Sequence, residues 1–171
     1  MTEAAINEVY LEKERAEAEK GMLNIQRKTM HPGYRIFRFA SKVYRVDWLT
    51  SAWWIGFSPY GTVDQLADGD QDRLSRVARA ALAVAVDPNK SHFNQMDVLL
   101  SARINATLSA WTGRPKTITL KRDKKYVERW EPDPTVTQLY IPGLGKIPAG
   151  ALTLESQREI PSRASFHAPY G

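Results

Sequence analysis

The chain has 171 residues, 43% apolar and 25% charged, enough for one domain with its own core and typical of a soluble globular protein. It contains no cysteine, which excludes disulfides, thiol nucleophiles and thiolate metal sites; no apolar run approaches the roughly 20 residues of a membrane span. The net charge is +5, but residues 1–20 hold six Glu against Lys13, Arg15 and Lys20, so the remainder carries +8 and favours anionic partners. The acidic start, Met-Thr-Glu, is not a secretory signal. It fits a cytoplasmic protein, and equally one exported by a signal-independent system.

Residues 3–20, rich in Ala, Glu and Lys, predict a helix stopped by Gly21. Its apolar stripe is only Ile6, Val9 and Tyr10, so residues 1–30 read as a helical appendage. His31-Pro-Gly33 is a turn. Tyr34-Arg-Ile-Phe-Arg-Phe39 then reads as a strand, and Lys42–Val46 as its continuation or partner. Trp53–Phe57 reads as a second strand, ended by Ser58-Pro-Tyr-Gly61. Alternation sends Trp53 and Trp54 to opposite faces. Each indole is either core or the wall of a pocket.

Thr62-Val-Asp-Gln65 has capping-box spacing for a short helix, broken at Asp68-Gly-Asp70. From Asp70 to Val86, Leu74, Val77, Ala78, Ala81, Leu82 and Ala85 form one apolar face. Arg73, Arg76 and Arg79 lie off its centre. Asp87-Pro88 ends the helix. Val98–Asn105 alternates as a strand, and Thr117–Lys121 pairs with Lys125–Trp130 as a hairpin. Thr135–Ile141 and Ala151–Glu155 are further strands. Residues 156–171 read as a loose tail behind a single domain at 31–155. This order predicts an α+β fold, mostly antiparallel, with one main packed helix and an N-terminal helix.

Most catalytic signatures are missing. There is no Walker loop and no His-Glu-x-x-His. Gly56-Phe-Ser58-Pro-Tyr-Gly61 is one residue too long for a nucleophile elbow, and Pro59 is a poor start for the helix that motif requires. Gly143-Leu-Gly145 runs into Lys146-Ile-Pro148 instead of a helix. His31, His92 and His167 have no neighbours at ligand spacing, so no metal site is expected.

Two constellations remain. Arg35 and Arg38 alternate across their strand, so whichever face is buried takes a guanidinium with it. Its partner is a carboxylate such as Asp47, or a bound phosphate. The 114–130 hairpin groups Lys121, Arg122, Lys124 and Lys125 with Tyr126 and Trp130. Such a ribbon suits nucleic acid or an acidic protein, or is a solvated sheet edge.

An arginine on an early strand, an aromatic-Ser segment, a helix, and late strands ending in Ile141-Pro-Gly143 resemble the ADP-ribosyltransferase-like fold, a family that includes toxins and effectors, over residues 34–155. The resemblance implies NAD as cofactor, a dinucleotide or protein acceptor as partner, and cleavage of the nicotinamide–ribose bond. It implies that Arg35 or Arg38 holds the phosphates or ribose and that Ser58, Trp53, Trp54 and Tyr140 border the nicotinamide. The ribose-binding glutamate position falls on Gln138, with Glu131 and Glu155 as replacements. A carboxamide can bond a ribose hydroxyl but brings no negative charge to a developing cation.

Overall fold

The computed structural model describes residues 4–42, 48–82, 96–121 and 127–160. The chain begins with two short helices, α1 (Glu8–Leu11) and α2 (Arg15–Gly21), where one long helix was expected. Beyond Tyr10 most residues are polar, and Leu11 and Ala18 are the buried residues of the two helices. The strands are β1 (Met22–Met30), β2 (Arg35–Ala40), β3 (Trp53–Trp54), β4 (Val98–Ile104), β5 (Leu108–Pro115), β6 (Ile118–Lys121), β7 (Val127–Trp130), β8 (Gln138–Tyr140) and β9 (Leu152–Glu159). Helices α3 (Phe57–Ala67) and α4 (Gln71–Ala81) lie between β3 and β4.

The fold is α+β with antiparallel pairing. One sheet has the order β1-β5-β8-β3, the second β2-β4-β9, and β6-β7 form a ribbon of their own. Alternation along the strands generates four layers. Ile36, Trp54, Ile104, Leu108, Leu139 and Ile141 fill the space between the two main sheets. The other face of the first sheet meets α1 and α2 through Trp111, Tyr140, Leu11 and Ala18. The other face of the second meets α3 and α4 through Phe37, Leu99, Val63, Leu74 and Ala78. Phe37 and Ile55 exchange backbone hydrogen bonds of 2.8 and 2.9 Å, which stitch the two sheets at one corner.

The first thirty residues therefore contribute a strand and a helical layer. Strand β1 escaped sequence reading because it is an edge, and of its nine residues only Met22 and Met30 are buried. A register shift between Leu23 and Gln26 lets these two face opposite layers. Asn7 is fully buried and locks the N-terminus to the sheet. Its Nδ2 donates to the carbonyls of Ser109 and Pro142, and its Oδ1 accepts from the Ser109 amide. Gly143 has φ +73°, and a Cβ there would collide with the Tyr10 ring.

Three other expectations change. Helix α3 starts at Phe57, so Ser58 and Pro59 occupy its first turn, not the end of a strand. Proline is tolerated there because first-turn amides have no intrahelical acceptor. Strand β9 continues to Glu159 and Ile160 is buried, which draws 156–160 into the second sheet. Arg79, expected off the helix's apolar face, is buried, and desolvation lowers its pKa to about 10.

Candidate functional site

The residues expected to converge divide between faces. Arg38 and Trp54 point into the space between the sheets. Arg38 Nη1 donates to the Trp48 carbonyl at 2.9 Å, and its guanidinium lies 6.0 Å from the Trp54 ring. Trp54 is buried, and its Nε1 donates to the Ser51 carbonyl. Asp47, the partner considered for this arginine, lies outside the described residues.

Trp53 and Tyr140 lie on the opposite face of the first sheet, under α1 and α2. Their rings meet edge-on at 5.0 Å. The Trp53 ring fills the place a side chain at Gly21 would need, 2.6 Å from an added Cβ. The Tyr140 hydroxyl donates to Glu14 Oε1 at 2.9 Å, and Trp111 Nε1 donates to the Leu11 carbonyl. Burial, followed by the bond to Glu14 and the charges of Glu14 and Glu17, raises the Tyr140 pKa above its ordinary 10.0. Gln138, two residues before Tyr140, shares this face. A whole sheet therefore separates Gln138 from Arg38, and the two do not flank a common hollow. Position in the chain suggested they would; strand parity forbids it.

The second sheet's outer face brings together a different set. Arg35, at its margin, is exposed, and its Nε lies 3.3 Å from Glu155 Oε1, whose side chain is 24% exposed. One strand, β4, lies between these residues, and its pairing with β9 is irregular at this point. Ser101 pairs with Ser156 but Ala102 pairs with Leu154, so Glu155 is the extra residue of a β-bulge. Thr153 lies opposite Arg103 and Leu154 opposite Ala102, so alternation puts Glu155 on the Arg35 face, and the bulge places Ser156 there beside it. Arg103 lies directly opposite Arg35 in the pairing, and its Nε reaches the Asn105 side chain at 3.4 Å. Arg35 thus meets the Glu155 carboxylate while Arg103 meets only a neutral carboxamide, which leaves positive charge for an anion.

Aromatic rings border this patch. Phe37 shares the Arg35 face and stacks on Tyr60 at 4.2 Å with 9° between planes. Phe57 is 66% exposed, with its ring 6.2 Å from Phe37. Burial, then the Asp64 charge, raises the Tyr60 pKa against the pull of Arg158. Ser58 is exposed beside Phe57 in the first turn of α3. Of the expected residues, Arg35, Ser58 and the substitute Glu155 thus belong to one end of the second sheet. Phe57, Tyr60 and Arg103 were missed. The Phe57–Tyr60 spacing of three residues would have shown two rings on one helical face had Pro59 not masked the helix.

Glu131 stands elsewhere. It pairs with Arg129 at 2.9 Å and lines a hollow of about 550 Å³ between α4 and residues 131–134. In the expected hairpin, β6 and β7 pair as predicted, but Arg122, Lys124 and Lys125 lie outside the described residues. His92 and His167 lie outside them too. Among the described residues no cluster of three metal-binding side chains occurs, and no helix is long and apolar enough to cross a membrane.

No family model and no curated protein matches the chain. Two solved structures are similar to it. One is "Rhs1-CT in complex with cognate immunity protein RhsI1", with 15% identity, covering 82% of this chain and 85% of the other at a TM-score of 0.49. The second is "Structure of Tne2 in complex with Tni2", with 13% identity, covering 83% and 98% at a TM-score of 0.45.

Proposed function

We propose that the chain binds an NAD-type dinucleotide on the outer face of its second sheet and cleaves the nicotinamide–ribose bond, with Glu155 in the role that position along the chain suggested for Gln138. The observation that carries this reading is the Glu155 carboxylate, which sits at a bulge on the Arg35 face, 3.3 Å from Arg35 Nε, on the face that also carries the stacked Phe37 and Tyr60 rings. Arg35 and Arg103 supply donors for the pyrophosphate. Phe57 offers an uncovered ring for the nicotinamide. As the glycosidic bond breaks, its electron pair leaves with nicotinamide and the ribose becomes a cation, which the Glu155 carboxylate opposes. Water or a nucleophilic acceptor then adds at the same carbon. Calorimetric titration with NAD, paired with release of nicotinamide by the native protein and by Glu155→Gln, tests the reading. Binding with cleavage lost in the variant supports it. A flat trace at millimolar NAD with folded protein rejects it.

The β6–β7 ribbon supports a second reading, because among the described residues it forms a two-stranded sheet of its own. A phosphate backbone laid along it would bind in a salt-dependent way. Replacing Lys121, Arg122, Lys124 and Lys125 together with Ala should then abolish binding of single-stranded oligonucleotide. Undiminished binding removes this reading.

A further inference from the structure

The hollow between α4 and residues 131–134 lies outside the site just described, and its charges are unevenly satisfied. Arg73 and Arg76, three residues apart, form one wall. Neither guanidinium meets a carboxylate or another acceptor among the described residues. The acids on the far wall are already engaged. Glu131 is paired with Arg129. Asp133 Oδ1 accepts from the Thr135 amide at 2.8 Å and from its hydroxyl at 2.5 Å. Between the walls the lining is apolar, with Val77 half-buried and Leu66 45% exposed at the rim.

We infer that this groove docks an acidic segment of a protein partner, in which two carboxylates about one helical turn apart flank an apolar side chain. The carboxylates would meet Arg73 and Arg76, and the apolar side chain would cover Leu66 and Val77. Charge complementarity selects an anion, and the apolar lining selects one with an aliphatic body. A nucleic-acid strand fits less well. Its continuous phosphates would run past Glu131 and Asp133, and it has no aliphatic group for Leu66. The volume of about 550 Å³ suits a few side chains.

The probe is a fluorescein-labelled helical peptide carrying Glu–x–x–Glu around a central Leu, followed by anisotropy against the full chain. Binding is expected to weaken with rising salt. It should fall roughly tenfold or more in Arg73→Glu/Arg76→Glu and a few-fold in Leu66→Ala. Arg73→Gln/Arg76→Gln, checked by circular dichroism, gives the same answer should charge reversal disturb folding. Equal binding by the native chain and a folded double variant overturns the inference, as does failure of the peptide to bind. Displacement of the peptide by a single-stranded oligonucleotide that binds more tightly also overturns it. None of these outcomes bears on NAD cleavage, which is read separately.

Discussion

On the outer face of the first sheet, the rings of Trp53, Trp111 and Tyr140 lie beneath the N-terminal helices, with Glu14 and Arg15 reaching Tyr140 and Trp111 from the helical layer. On the outer face of the second, Arg35, Glu155 and the rings of Phe37, Phe57 and Tyr60 meet at the margin of the helical cover. The ingredients are nearly the same. In the first set the helices consume them: Tyr140 donates to Glu14, Arg15 pairs with Glu19 at 2.8 Å and lies 5.0 Å from Trp111, and Trp53 fills the space at Gly21. In the second set Phe57 and the Arg35 guanidinium stay in solvent. Aromatic and charged residues in a sequence thus identify chemistry, and the layer above them decides whether it is structural or available.

The sharpest way to break this contrast is to neutralise each carboxylate. Glu155→Gln should lower nicotinamide release by roughly 10²–10³-fold with little change in melting temperature. Glu14→Gln should leave turnover within about twofold while shifting stability, because it alters only the closed face. Equal losses of activity from both would erase the distinction.

Truncating one ring on each side comes next. Trp53→Ala should cost about 2–4 kcal/mol in urea unfolding, since it empties packed volume. Phe57→Ala should cost no more than about 0.5 kcal/mol but raise the KM for NAD several-fold. A smaller effect separates the faces by pH. The folded-state pKa of Tyr140 is raised above its ordinary 10.0, so its contribution is full below that pH and is lost as pH climbs past it. Urea melts above about pH 10 should therefore show the native chain losing part of its advantage over Tyr140→Phe. The smallest expected effect is that of Gln138→Ala on turnover, within about twofold, because this residue faces the closed side. A large loss would return Gln138 to the site and remove Glu155 from it.

Strong periodicity made much of this fold legible. Alternation placed Trp53 and Trp54 on opposite faces, as observed, and the apolar face of α4 follows from residue spacing. Strand β5 was silent because small residues build it. Ser109, Ala110 and Gly113 are buried, and Gly113 admits no side chain against the Leu23 carbonyl. The paired Arg35 and Glu155 were both visible as candidates, but their contact depends on the register of β2 and β9 against β4, which shifts at a bulge. A single chain read by itself does not reveal where its partner skips a residue.

That skipped residue has a consequence for comparing relatives. Because the acid sits next to the register shift, its orientation is encoded in its spacing from Leu152 as much as in residue type. Deleting Leu154 would set Glu155 opposite Ala102 and swing the carboxylate to the inner face of the sheet with every other amino acid unchanged. An alignment that closes a one-residue gap here would equate an acid that faces Arg35 with one that cannot.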